Sequence, residues 1–583
     1  MVKSRTEQTD LGAYYTPPAT VEYLLRVMGQ ERLREASRIV EPSGGDGIFV
    51  RGLLEAGVDP AHISVWDIDP DCQPSIEAFG ADFSLGDTLG RDIAQGSFDA
   101  VVGNPPYLNK RSAYVRANKD WLGKKFKEVG ASETYIMFTF ACAAGLRHGG
   151  RLGFVLSDTF LTLGTHRRFR DWLLDHTKII EVSLAPAKLF DVAVSTVLLV
   201  VERADGPGEE QIPERDNHIV RYYDRVPDEA HYGDPAYLHE IRQGDLRRLP
   251  NHALFAPDPQ ILALFEQYPS LIAAGLDGHI GMHTRDNAQY LVDALALGEP
   301  GYATQQAAVR AGELMPYLKT GGIIDYWSDV REYVKWDAVS RKAYVVPKTH
   351  HFGQSGVAIS GVSARLSARL LEPGCYWDTN KVMGFRNETG LSDAVMVGLL
   401  NSRLYNYLAK AVLNTTASIQ IDDLRRLPLI PLSPAQIEQI HRTVGEIITH
   451  LRTGKPSDRA QARARASIDE IVYSAGGIDS ALRAIIDAHW EASGGAGHSA
   501  KSSRRRFRSA KSAKPKIWFE LWDEASSNML GDFESDCEAA RYALEYIPDA
   551  ALAELSLLRV EGEKVSTIIE HGELAEWQAQ ASS

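Results

Sequence analysis

Four consecutive residues, Asn104-Pro105-Pro106-Tyr107, have the types and spacing best suited to chemistry. Asn104 offers a carboxamide oxygen as an acceptor. Pro105 and Pro106 have fixed φ and no N–H group, so the Pro105 carbonyl can be held pointing outward. Tyr107 adds a flat ring. Two acceptors beside an aromatic plate suit a planar substrate with an exocyclic amino group. Accepting both of its hydrogens draws the nitrogen lone pair out of conjugation and makes that nitrogen nucleophilic. A bland turn that merely closes a strand is the competing explanation, and the neighbouring residues have to separate the two.

The elements that would position this turn can be read around it. Residues 98–102 are apolar and β-branched, as in a buried strand, and Gly103 ends the run. The turn therefore stands at a strand's carboxyl end, where open α/β sheets bind ligands. Upstream, residues 38–41 form a short strand. Pro42-Ser43-Gly44-Gly45-Asp46-Gly47 follows, and then a helix through Ile48, Phe49, Leu53 and Leu54. No Gly-Lys-Ser/Thr follows the glycines, and the Gly-x-Gly-x-x-Gly spacing is absent, so neither a phosphate loop nor a dinucleotide site is indicated. Glu41 and Asp46 would repel pyrophosphate but suit a ligand with a cationic amine. The strand at 63–66 ends at Asp67, about 20 residues past the glycine turn, where an acid commonly takes ribose hydroxyls. A ligand with a ribose, an amino group and no phosphates is described well by S-adenosylmethionine. Asp87 ends a third segment and is a candidate for the cofactor's adenine amino group, with Asp82 as its competitor. In Thr16-Pro17-Pro18, Thr16 reads as a helix N-cap and Pro17 as the first helical residue, giving a helix end suited to a carboxylate. Beyond the central turn, helices at 135–146 and 169–174 alternate with strands at 151–156, 179–184 and 196–201. Phe190 falls between the last two strands, either projecting into the site or packing in the core.

Thr16-Pro17-Pro18, the Glu41-to-Gly47 turn, Asp67, Asp87 and Asn104-Pro105-Pro106-Tyr107 occur in that order. This arrangement resembles the amino-group DNA methyltransferases of restriction–modification type, specifically the gamma class of N6-adenine enzymes, over roughly residues 10–205. The resemblance implies an α/β fold: a Rossmann-like, seven-stranded, S-adenosylmethionine-dependent methyltransferase domain with a C-terminal mixed α/β target recognition domain. It implies that Asn104 and the Pro105 carbonyl hold the adenine amino group, with Tyr107 and Phe190 stacking on a flipped base from either side. It implies cofactor contacts from Thr16, Glu41, Pro42, Ser43, Gly45, Asp67, Asp87 and Asn104. The glycine turn, Ser43-Gly44-Gly45-Asp46, is a departure at a place where the family varies widely. The function implied is site-specific methylation of adenine N6 in double-stranded DNA, in a restriction–modification or phage-defence system. The same turn also serves enzymes that methylate release-factor glutamine or some ribosomal RNA bases. A non-catalytic DNA-binding subunit that keeps the fold is a further alternative.

The chain has 583 residues with ordinary apolar (44%) and charged (24%) content, which allows several domains. No apolar run reaches the roughly 20 residues of a membrane span, and residues 1–10 lack a secretory core. Cys72, Cys142, Cys375 and Cys537 lie far apart, without disulfide or metal spacing, and the adjacent His350 and His351 read as non-ligands. A reduced, cytoplasmic protein without a metal is expected. The net charge of −14 argues mildly against a nucleic-acid partner. A binding face needs only local positive charge, however. Lys110, Arg111, Arg116, Lys119, Lys124, Lys125 and Lys127 follow the central turn, interleaved with aromatics; Lys110, Arg111, Lys124 and Lys125 are the candidate DNA contacts. The expected domains are 1–245 (catalytic), 246–490 (target recognition), 491–516 (a basic flexible linker, from Lys501 to Lys516) and 517–583 (a small α/β module of no evident chemistry). Residues 205–217 read as a hinge and 434–489 as helical. No nuclease constellation is visible, so any partner restriction endonuclease would be a separate protein, and a monomer satisfies these requirements.

Overall fold

Short β-branched runs alternating with amphipathic stretches give a sheet covered on both faces. The computed structural model describes residues 16–187, 189–190, 195–204, 212–256, 258–293, 308–348, 350–379, 381–416, 418–453 and 458–493, together with the backbone of four strands between 517 and 569. The chain divides into two compact units, Met1–Ala256 and Pro257–Ser583.

In the first unit the strands are β1 (Ile39–Glu41), β2 (Ile63–Asp67), β3 (Asp82–Leu85), β4 (Phe98–Gly103), β5 (Leu146–Ser157), β6 (Thr177–Leu184), β7 (Thr196–Arg203), β8 (Ile219–Tyr223) and β9 (Leu238–Arg242). They form one sheet in the order β3-β2-β1-β4-β5-β7-β6-β8-β9. Strands β1 to β5 run parallel, and β7 inserts antiparallel between β5 and β6. Helices α1 (Pro18–Met28), α2 (Ile48–Glu55), α3 (Thr134–Gly145) and α4 (Arg167–His176) cover the sheet. Period-two alternation assigns each strand residue to a face. Val101, Leu152, Phe154 and Leu199 pack with Ile136 of α3 and Phe169 of α4. Val102, Val155, Leu198 and Val200 pack with Leu24 of α1 and Phe49 of α2.

The seven-stranded, Rossmann-like S-adenosylmethionine-dependent methyltransferase domain expected from the sequence is present with additional parts, and the structure adds that its β7 is reversed. Strands β8 and β9 extend it. The first is parallel to β6 and the second antiparallel to β8. They are short, and β9 is largely exposed, so their apolar pattern is weak in sequence. The unit also runs past residue 245. Leu246 and Leu254 join its core. Fully buried Arg170 donates to the carbonyls of Phe160 (2.5 Å), Leu163 (2.8 Å), Asn251 (2.9 Å) and His252 (3.1 Å). These ties bind residues 246–254 to the first unit and move its end to Ala256.

The second unit has one sheet made of β10 (Leu276–Ile280), β14 (Gly356–Ser360), β15 (Ala368–Leu371) and β17 (Val382–Asn387). Another contains β11 (Leu291–Asp293), β12 (Leu314–Leu318), β13 (Glu332–Lys335) and β16 (Tyr376–Trp377). Helices α5 (Asp393–Leu400), α6 (Arg403–Tyr407), α7 (Pro434–Thr453), α8 (Asp458–Ala475) and α9 (Ser480–Ala492) follow, the last three occupying the stretch read as helical. Buried Asp325 accepts from Arg365 (2.8 Å), Ser367 (2.8 Å) and Arg465 of α8 (2.7 Å), fastening helix to sheet. The terminal residues contribute β18 (Ile517–Asp523), β19 (Asn528–Phe533), β20 (Leu555–Glu561) and β21 (Lys564–Ile569), an antiparallel sheet in the order β19-β18-β20-β21. The basic stretch Lys501 to Lys516 and residues 205–211 of the expected hinge lie outside the described residues. Among the described residues, no helix is long and apolar enough to cross a membrane.

Candidate active site

Strand β4 delivers the Asn104 turn to the carboxyl edge of the sheet, and four separate segments hold it there. The Ser43 hydroxyl donates to the Asn104 carbonyl at 3.1 Å, joining the turn to the glycine loop after β1. The Asn104 amide nitrogen donates to the Thr16 hydroxyl at 3.2 Å, which turns the carboxamide oxygen away from Thr16. Thr134, at the start of α3, donates its hydroxyl to the Pro106 carbonyl and accepts from the Leu108 N–H at 2.8 Å. The Tyr107 hydroxyl donates to the Val155 carbonyl of β5 at 3.0 Å, and its ring meets Tyr135 edge-on at 6.0 Å. Acceptors held this firmly cost little reorganisation when charge develops on a substrate. Thr134 was not recognisable from sequence, because a threonine opening a helix signals only a cap.

The glycine turn forms the neighbouring cradle. A β-carbon at Gly44 would come within 2.4 Å of the Val65 side chain, so only glycine fits there. Gly45 has φ +53 with open space in front of it, and its N–H donates to Asp67 Oδ2 at 3.0 Å. The other Asp67 oxygen accepts from Asp69 N–H at 2.8 Å. Glu41 is 1% exposed at the end of β1, and its Oε2 has no hydrogen-bond partner among the described residues. Burial first, then the nearby Asp46 and Asp67 carboxylates, push the Glu41 carboxyl well above the usual range, against the Val50 N–H, which lowers it. A buried, incompletely satisfied acid beside two other acids fits a cationic ligand group. Pro42 is buried, and its carbonyl accepts from Thr88 at 2.7 Å.

Asp87 stands past the carboxyl end of β3, accepting from Leu89 N–H at 2.9 Å and from the Tyr114 hydroxyl at 2.7 Å. Asp82 begins β3 and so lies at the opposite edge of the sheet. Ile68 and Leu85, each 55% exposed, supply bare apolar surface beside these acids, with Leu85 opposite Asp67 in the strand pairing. No sequence motif marks either residue; for Ile68 the available signal is its place directly after the strand-ending Asp67.

Three expectations change. Thr16 is not the N-cap of α1, which starts at Pro18 with Pro17 before it and no side-chain cap; its hydroxyl is taken by Asn104 instead. Phe190 is 7% exposed and lies in the apolar cluster with Leu189 and Ala185, so its ring is not displayed over the edge. Lys125 does not face outward: its ammonium donates to the Arg91 carbonyl at 2.6 Å and lies 3.7 Å from Asp92. Lys110 and Lys124 are exposed, while Arg111 is half-buried with its N–H on Asn109 at 2.9 Å.

Fold and edge together define a Rossmann-like methyltransferase domain of the kind that uses S-adenosylmethionine as its cofactor. Residues 64–190 match the Eco57I restriction-modification methylase family. The Type II methyltransferase M.HincII of Haemophilus influenzae is 21% identical over 271 residues, covering 45% of this chain and 50% of that protein. The adenine-specific methyltransferase BrxX of Escherichia coli O9:H4 is 23% identical over 356 residues, covering 57% of this chain and 28% of that protein. The chain thus spans half the length of the first relative and less of the second. The Type IIL restriction-modification enzyme MmeI, solved in complex with DNA, superposes with a TM-score of 0.51 at 12% identity, over 84% of this chain and 80% of that one; the likeness is one of fold. These matches bear out the resemblance to restriction–modification amino-methyltransferases.

Proposed function

We propose that the chain methylates N6 of an adenine extruded from double-stranded DNA, as the modification component of a restriction–modification or phage-defence system. The observation that carries this reading is the fastening of the Asn104 turn to the acid-lined glycine cradle through Ser43. Amino-group acceptors and a cation-binding loop thereby share one edge of the sheet. S-adenosylmethionine, when bound, supplies an electrophilic methyl group. In this reading Glu41 and Asp67 hold its amine and ribose, and the uncapped amino end of α1 receives its carboxylate. Asn104 Oδ1 and the Pro105 carbonyl accept the two hydrogens of the adenine amino group and leave its lone pair available. With the methyl donor bound, these two acceptors would keep the N6 lone pair aimed at the methyl group, and the amino proton given up on transfer would pass to solvent. Tyr107 provides the surface on which the extruded base stacks, since a base in the duplex is out of reach. The relatives named for adenine methylation and for DNA complexes support adenine and DNA. The second unit, with its mixed sheets and helices, supplies sequence readout.

Expression in a bacterial host lacking adenine methylases, followed by sequencing of its DNA for N6-methyladenine, tests the proposal. A single methylated motif that disappears with Asn104→Ala is the expected result. Unmodified DNA from cells containing folded, cofactor-binding protein would refute it.

A further inference from the structure

Strands β8 and β9 lie outside the seven-stranded core, yet the segment between them sends Arg225 back to the carboxyl edge of the sheet. Its Nη2 donates to Asp158 Oδ2 at 2.9 Å and to the Ser195 hydroxyl at 2.5 Å, while its Nη1 donates to the Ala185 carbonyl at 2.6 Å. Asp158 directly follows β5, Ala185 directly follows β6, and Ser195 directly precedes β7. The Ser195 hydroxyl also donates to the Asp158 carboxylate. Backbone bonds from Asp158 N–H to the Ser195 carbonyl and from Ala185 N–H to the Thr196 carbonyl, each 3.0 Å, complete the junction.

An isolated surface ion pair contributes little. Here one planar guanidinium satisfies three acceptors on three segments, a geometry that an arginine fork sets and a lysine cannot reproduce. The junction borders the Tyr107 turn. Val155, three residues before Asp158, takes the Tyr107 hydroxyl, and Thr159, just after it, hydrogen-bonds the hydroxyl of Tyr135 at 2.9 Å. The ends it ties together also bracket the β6–β7 connection that carries Phe190, whose apolar cluster Tyr107 packs against.

We infer that Arg225 is a positioning residue for base capture: it locks the ends of β5, β6 and β7 to one another and thereby sets where the Phe190 segment meets the Tyr107 turn. This rests on the proposed methylation of an extruded adenine. The cofactor cradle, built on β1 to β3, does not depend on it.

The test compares full-length wild type with Arg225→Gln and Arg225→Lys. It uses a duplex containing the motif found methylated in the expression host, with 2-aminopurine at the target position for the fluorescence arm. Arg225→Gln should lower kcat/KM for DNA roughly tenfold to a hundredfold, as small misplacements near a reacting centre do. It should also dim the 2-aminopurine signal while cofactor affinity, measured by calorimetry, stays within about twofold. Arg225→Lys should recover only part of the loss. Unchanged kcat/KM and fluorescence in Arg225→Gln would overturn the inference, as would an equal loss of cofactor affinity, which marks a general structural role. If Arg225→Gln does not fold, Ser195→Ala removes one partner alone. A several-fold fall in the same two readouts then supports the inference, and wild-type values overturn it. Wild-type protein that methylates no adenine sinks the functional reading and this inference together; an active wild type puts only Arg225 at stake.

Discussion

Replacing Glu41 by Gln should weaken cofactor binding and stabilise the empty protein at the same time. Glu41 is buried, one of its oxygens has no partner among the described residues, and burial together with Asp46 and Asp67 raises its pKa well above the usual carboxylate range. The folded, empty protein therefore holds this proton to higher pH than the unfolded chain does. Its stability consequently falls as pH rises from the ordinary carboxylate range toward the folded pKa, and Gln, which has no charge to bury, removes that loss. A cationic amine arriving beside Glu41 reverses the balance: the carboxyl ionises, and a proton leaves as the cofactor binds. A hydrogen bond to a charged group contributes about 1.5–3 kcal/mol, so Glu41→Gln should raise the Kd for S-adenosylmethionine roughly 10- to 150-fold. Calorimetry in two buffers of different ionisation heat reads the released proton. Wild type should release a fraction of a proton that shrinks at higher pH, and Glu41→Gln should release none. In thermal melts without cofactor, the Tm of Glu41→Gln should exceed that of wild type, by a margin that widens with pH. Equal affinities with no buffer dependence in wild type would refute the reasoning and remove Glu41 from the cofactor site.

Asn104→Ala should lower methyl transfer by roughly 10²–10³ while cofactor affinity by calorimetry and DNA affinity by gel shift persist, because the lost acceptor matters most as the transition state forms. Thr16→Val, which removes the partner of the Asn104 amide, should cut kcat by roughly tenfold with little change in KM, and Thr16→Ser should restore it. Steady-state kinetics on the three proteins would show whether this hydroxyl orients the carboxamide. A chain ending at Ala256 should fold and bind cofactor. One ending at residue 245 should melt far lower or aggregate, since it loses Leu246 and Leu254 from the core and leaves buried Arg170 without two of its carbonyl partners; circular dichroism melts compare the two.

The sequence by itself was enough to locate the Asn104 turn, the glycine loop, Asp67 and Asp87, because each belongs to a strand followed at once by a turn. Such units are written within a few residues, in β-branched runs, glycines at tight or positive-φ positions and acids at strand ends. The alternation of Val101 and Val102 to opposite faces is likewise local, fixed by the two-residue period of a strand. What holds these pieces in a working arrangement is not local. Ser43 reaches Asn104 across 61 positions and Thr16 across 88, and both contacts depend on the neighbouring placement of β1 and β4 and on the packing of α1. The insertion of β7 between β5 and β6, against chain order, brings Asp158, Ala185 and Ser195 within reach of one arginine that no motif had marked. Burial of Phe190 and the turning of Lys125 toward the Arg91 carbonyl are decided the same way. A residue's type sets which interactions it can make, whereas register and packing determine which partner is within hydrogen-bonding distance. Those are properties of the assembled sheet.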